Sequence, residues 1–213
     1  MRRWLEGWRL CRGLEPVIEY DDALAAVLRL PGRERELFAL DDDPATVDRL
    51  AAQVTADTWL TVTTQNGDAV ARRLEAAGVR PFDEHKTLMS IDLSKHPLAQ
   101  AELSSDGALE FVRVLADGVV AARGMMAIVG TDAVVHDIQT DPAYRRRGLG
   151  SVVMGALARR ALERGAQTGL LMATTDGAHL YRRLGWLPEA TMVTGSGGSR
   201  PVGGDLGAVL AGG

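Results

Sequence analysis

Apolar positions recur with two periods along this chain, and the change from one to the other marks its layout. From about residue 108 they alternate every second residue, and the segments 109–118 (LEFVRVLADG), 119–130 (VVAARGMMAIVG) and 132–140 (DAVVHDIQT) are predicted strands. Asp117-Gly118 is a hairpin signal between the first two, and the Gly-Thr-Asp at 130–132 turns the second into the third. The period then lengthens: 150–165 (GSVVMGALARRALERG) is a predicted helix stopped by Gly165. A strand at 168–175, a short helix at 177–185 and a strand at 189–195 complete this half.

The first half reads differently. Residues 1 to about 58 are expected to be helical, with 19–30 (EYDDALAAVLRL) as one helix capped by Asp21-Asp22. In 41–57 (DDDPATVDRLAAQVTAD) an Asp cap precedes Pro44 at the first helical position. A strand at 59–64, a helix at 67–78 ending on Gly78 and a strand at 86–93 follow. The polar, Pro-broken run 94–107 is expected to be a linker, and the Gly-rich tail 195–213 to be loose. The layout is therefore an N-terminal region, 1–95, a core, 96–194, and the tail. Residues 60–81 also echo residues 170–188: each is a strand, a polar turn and a helix with Arg-Arg-Leu, then Gly and Pro. Such an echo arises either by chance or from a duplication that has decayed in the first half.

Composition narrows the function. The 213 residues are 46% hydrophobic and 24% charged, ordinary for a chain with a packed core. A net charge of -4 argues against a nucleic-acid partner. No run approaches the roughly 18 apolar residues that cross a bilayer, and no signal peptide is evident, so a cytoplasmic protein with no membrane partner is expected. The single cysteine, Cys11, excludes an internal disulfide and is expected to be a packed thiol. The four histidines show no metal-ligand spacing, so no metal is expected.

Against this mildly acidic background, Arg145, Arg146 and Arg147 stand directly before Gly148-Leu149-Gly150 and the helix. The first amides of a helix lack intrahelical partners and carry partial positive charge. Glycines let that backbone approach a ligand, and arginines close over phosphate oxygens with forked bonds. No Walker lysine follows and the spacing is not that of a dinucleotide loop.

The stretch from Arg145 to Gly150 resembles the R/Q-x-x-G-x-G/A signature of the GNAT N-acetyltransferase superfamily. The later Leu180-Tyr181-Arg182-Arg183-Leu184-Gly185-Trp186 is similar to that family's L-Y-x-x-L-G-F element. The resemblance covers residues 108 to 192. It implies an α/β (mixed-sheet) fold of the acyl-CoA N-acyltransferase type, with an N-terminal extension that is helical or itself a second, decayed half. It also implies acetyl-CoA as cosubstrate. On that likeness the pantetheine arm would follow Ile138, Gln139 and Thr140, the diphosphate would meet Arg145, Arg146, Arg147, Gly148, Leu149, Gly150 and Ser151, and Thr174 would also touch the cofactor.

Acyl transfer to an amine needs a neutral amine, a stabilised oxyanion and a proton for the departing thiolate. The likeness makes Tyr181 the general acid. The family's usual strand glutamate falls on Val134, which leaves the base open. His136, two residues on and on the same strand face, is the candidate, as in arylalkylamine N-acetyltransferases; Asp137 is expected on the opposite face. The acceptor is expected to be a small-molecule amine, walled by residues 1–95 or by a second copy of the chain as a homodimer. Trp4, Trp8 and Trp59 are expected in the core, with a role as aromatic walls left open. A peptide amine as acceptor, and a non-catalytic acyl-CoA-binding module, stay open as alternatives.

Overall fold

The computed structural model describes residues 1–197, so the tail expected over 195–213 lies almost wholly outside the described residues. The chain opens on helix α1 (Arg2–Cys11), which buries Trp4, Leu5, Gly7, Trp8 and Cys11 along one side. Strands β1 (Ile18–Glu19), β2 (Ala23–Leu30) and β3 (Arg33–Ala39) then form an antiparallel meander. The helical reading of residues 1 to 58 therefore fails over 18–39: the helix expected over 19–30 is a strand, and a second strand, β3, follows it. Alanine and leucine favour helix in isolation, but here tertiary burial decides. Ala23 and Ala25 pack into the core on one sheet face, and Leu24, Ala26 and Leu28 into the core on the other.

Most of the remaining elements fall where the periods place them. Helix α2 (Pro44–Ala51) starts at Asp43, whose carboxylate accepts the amides of Ala45 and Thr46. Strand β4 (Thr58–Thr64), helix α3 (Gly67–Ala76), the two-residue β5 (Arg80–Pro81) and β6 (Lys86–Asp92) follow. The expected linker is partly an edge strand, β7 (Glu102–Asp106), paired along its whole length with β8 (Leu109–Ala116). Its neighbouring run lies against the sheet's helical layer, where Arg159 Nε donates to the Ala99 carbonyl at 3.1 Å. Strands β9 (Val119–Val129) and β10 (Asp132–Thr140), helix α4 (Leu149–Glu163), strand β11 (Thr168–Ala173), helix α5 (Thr175–Arg183) and strand β12 (Leu187–Ser196) complete the chain.

The strands form one sheet in the order β1-β2-β3-β4-β12-β6-β11-β10-β9-β8-β7, with β5 on β12. Read from either end, it repeats a pattern. An antiparallel pair (β2-β3, β9-β10) leads to a parallel one (β3-β4, β10-β11). Each inner strand then pairs with the last strand of the other half: β4 takes β12, and β11 takes β6. The two exchanged strands, β12 and β6, meet at the centre.

Three apolar clusters hold the layers. The face under α4 and α5 is filled by Met126, Val135, Met154, Leu157, Leu171 and Trp186, among others. The corresponding face under α2 and α3 holds Leu37, Leu50, Leu60, Val62 and Leu74. The opposite face of the sheet is covered by α1 through Trp4, Trp8, Phe38, Val134 and Leu170. Gly7 is required there, since a Cβ on it would overlap Val134. Fully buried Glu110 on β8 is met by Arg160 and Arg164 from α4, at 3.0 and 2.5 Å, so its charge is paired.

Candidate active site

The site begins where two parallel strands separate. β10 and β11 pair from Asp132↔Thr168 to Val134↔Leu170 and no further, although both continue. The backbone beyond Val134 is thereby released from its neighbour on that side. A bulge adds to the effect: His136 pairs with Met125 on β9 and Gln139 with Arg123, so Asp137 and Ile138 face one residue, Gly124. Asp137 carries φ 52°, rare outside glycine, and a Cβ on Gly124 would overlap the Ile138 side chain.

A cleft of about 1310 Å³ occupies the opening. Its walls bring together eight of the sequence candidates: His136, Ile138, Gln139, Thr140, Arg145, Arg146, Thr174 and Tyr181. Arg147 is elsewhere, its guanidinium 5.0 Å from the ring centre of Tyr144. Gly148, Leu149, Gly150 and Ser151 form the loop end and first turn of α4 beside the wall. A Cβ on Gly150 would lie 3.1 Å from Leu180 and 3.8 Å from the Thr140 hydroxyl, both in the cleft.

The start of α4 is open. Gly148 at φ 79° begins the helix and no side chain caps it. Arg145 is steadied by its Nε on the Thr140 carbonyl at 3.4 Å, and the three arginines are exposed. Uncapped amides, a left-handed glycine and exposed guanidinium groups suit a diphosphate. Thr174 caps α5, its hydroxyl oxygen accepting the Gly177 amide at 3.0 Å.

Two titratable groups face each other's side of the opening. Tyr181, on α5, is 9% exposed, and burial pushes its hydroxyl up to about 12, so it keeps its proton. His136 projects towards α1. Its pKa is lowered to about 4, by burial first and by the Arg12 charge second, with Asp137 partly opposing both. The alternation that places Asp137 on the far face ends at the bulge, and both residues line the cleft. Val134 is wholly buried against α1, so the position of the family's strand glutamate is sealed.

Trp4 and Trp8 are core residues, 2% and 3% exposed, stacked at 5.6 Å; yet their edges also line the cleft. Trp59 is core alone, its indole N–H donating to the Gly32 carbonyl at 2.8 Å. Cys11 is a buried thiol, its pKa raised to about 12 by burial. Among the described residues, no group of three His, Cys, Asp or Glu side chains is placed to hold a metal. No described helix is long and apolar enough to cross a membrane. Sequence reasoning quoted Leu180 only as part of a motif and missed Asp176, both in the cleft wall, and it missed Arg12, which lies beside the wall. Leu180 and Asp176 flank recognised positions on one helix, whereas nothing local ties Arg12 to a strand 124 residues away (136 − 12).

A splayed parallel pair, a bulged strand and an open helix start define an acyltransferase site. Residues 79–186, just over half of the chain, match the Acetyltransferase (GNAT) family, and the chain belongs to it. It is a transferase of acyl groups, in a family that typically uses acetyl-CoA. The fold is shared with a GCN5-related N-acetyltransferase from Kribbella flavida at a TM-score of 0.69 and 18% identity, over 93% of this chain and 94% of that one. A putative GNAT acetyltransferase from Novosphingobium aromaticivorans aligns at 0.57 and 17%, over 91% and 94%. A tandem GNAT protein from the clavulanic acid biosynthesis pathway aligns at 0.52 and 13%, over 86% and 82%. No curated protein matches.

Proposed function

We propose that this chain moves the acetyl group of acetyl-CoA to the primary amine of a small molecule. The observation that carries the reading is the joining, in one cleft, of the open α4 start with Tyr181 on one side of the sheet and His136 on the other. Acetyl-CoA, when bound, supplies the acyl group and a thiol to be displaced. Arg145, Arg146 and the amides of Leu149 and Gly150 would hold its diphosphate, with the Ser151 side chain beside them and Arg147 at the margin. The backbone of Ile138, Gln139 and Thr140, unpaired on the β11 side, would hold the pantetheine amides, and Thr174 lies alongside.

His136 is neutral at physiological pH and, a weak base at about 4, would relay the proton only as the amine attacks and becomes acidic, not take it from the free ammonium. Tyr181 holds a proton at its hydroxyl for the departing sulfur. The acceptor enters from the α1 side, where Trp4, Trp8 and His136 meet. The first half reads as a repeat that has lost its cofactor loop, an interpretation supported by the mirrored strand order and by the tandem GNAT neighbour.

Calorimetry with coenzyme A, followed by thiol release from acetyl-CoA across a panel of amines, tests the proposal. Saturable binding and amine-dependent release are expected. Absence of heat at millimolar coenzyme A would remove the cofactor assignment, and binding without release to any amine would leave only a binding module.

A further inference from the structure

Beside the acceptor side of the cleft, next to Trp8, lies a cation whose buried Nε has no hydrogen-bond partner among the described residues. Arg12 ends helix α1, one turn past Trp8, and its guanidinium lies 5.3 Å from the centre of the Trp8 ring. It is half-buried, and its Nε is buried with no hydrogen-bond partner. Its neighbours are already committed. Arg33 lies over the same indole at 5.9 Å and over Trp59 at 4.3 Å, and it takes Glu36 as its ion-pair partner. Glu36, 3% exposed, also accepts the Thr61 hydroxyl. Asp137 is turned to the Gln139 amide at 2.7 Å and to Arg123 at 3.7 Å.

Two guanidinium groups thus share one aromatic platform, and the single buried carboxylate pairs directly with Arg33 while favouring the Arg12 charge only from a distance, as Asp137 also does. The charge of Arg12 reaches His136, the group facing the acceptor, and Asp137. A partly desolvated cation without a partner is costly unless a ligand supplies the anion. Arginine suits a carboxylate because its planar donors match the two oxygens, and an indole beneath it keeps the guanidinium flat.

We propose that Arg12 receives the carboxylate of the acceptor, so that the amines this enzyme acetylates also carry an acid group, as α-amino acids do. The carboxylate would lie against Arg12 over the Trp8 edge, leaving the amino group of the same molecule facing His136. The kinetic side of this proposal rests on the transferase reading; the binding side does not.

The test uses the full chain and matched acceptors that differ by the carboxylate: L-phenylalanine with 2-phenylethylamine, L-tryptophan with tryptamine, and L-leucine with 3-methylbutylamine. Thiol release from acetyl-CoA gives kcat/KM for each. In at least one pair the acid member should exceed the amine by about tenfold or more, the size expected of a partly buried charge pair. Arg12→Gln should bring that ratio close to one, and Arg12→Lys should restore part of it. A role confined to packing would lower both members together and leave the ratio alone. Equal or better use of the neutral amine in every pair of the wild type overturns the proposal, even if Arg12→Gln does not fold. Quenching of tryptophan fluorescence by the same amino acids, with the protein held in coenzyme A, separates the two readings. Binding that requires Arg12 without thiol release would sustain the carboxylate site and sink the transfer reaction. Neither binding nor release with any of the three amino acids would sink the carboxylate site.

Discussion

Two helix starts occupy equivalent places in the two halves of the sheet, and their chemistry is opposite. α2 lies between the parallel strands β3 and β4, and α4 between the parallel strands β10 and β11. At α2 the amides are taken by the chain itself: Asp43 accepts Ala45 and Thr46 at 3.0 and 3.1 Å, Asp41 accepts the Asp43 amide, and Asp42 accepts the Thr64 hydroxyl. An anion arriving there would meet three carboxylates. At α4 a glycine stands in the cap position and arginines replace the aspartates. The equivalent place in the fold is a closed cap in one half, with Asp43 extended, and an uncapped helix start in the other, with Gly148 left-handed. Which of the two it becomes depends on whether a side chain already occupies the amides.

The sharpest way to break this contrast is to import the first-half cap into the second. Gly148→Asp keeps a residue that tolerates the left-handed region and adds a carboxylate at the amides. Coenzyme A affinity should fall on the order of a hundredfold, the size of one or two charge-assisted bonds lost. Unchanged calorimetric affinity would mean that the α4 amides do not hold the cofactor. Tyr181→Phe should lower kcat by about tenfold and leave coenzyme A affinity as it was, a smaller loss because a thiol of pKa about 8.5 leaves tolerably without help.

Asp43→Ala is the reciprocal change. It should cost about 1 kcal/mol in denaturant unfolding as the α2 cap is lost. Calorimetry should still count one coenzyme A per chain, because Asp41 and Asp42 remain; a second binding event would show that Asp43 alone closes the site. The smallest expected effect concerns His136. Its folded pKa of about 4 lies below the ordinary 6.5, so the unfolded chain binds the extra proton between those values. Its contribution to stability is complete above pH 6.5 and drains away as pH falls towards 4. The difference in unfolding free energy between wild type and His136→Asn should therefore change with pH inside that window and be flat above it. A pH-independent difference would place the imidazole in a solvated setting.

Much of the second half was legible because its signals are local. Asp117-Gly118 turns a hairpin, alternation marks β8 to β10, and the Arg-Gly run sits at a strand-to-helix junction whose backbone chemistry follows from position alone. The first half misled where local preference and tertiary burial disagree. Ala23 to Leu28 form a strand because both faces of β2 are covered, and coverage is not written within the segment. The bulge at Asp137 was equally hidden, since a non-glycine residue at positive φ leaves no mark in the sequence. Arg12 comes near His136 only because α1 lies across β10, and Trp4 and Trp8, whose role as walls the sequence left open, are both core residues and part of the cleft lining.

The exchange of β6 and β12 bears on how the molecule is made. Each half finds its innermost partner in the other: Thr64 is aligned with Thr191, and Thr87 with Ala173. A ribosome must therefore release the chain through β12 before the middle of the sheet can zip shut. Such distant pairings close slowly, and neither half becomes a finished object by itself.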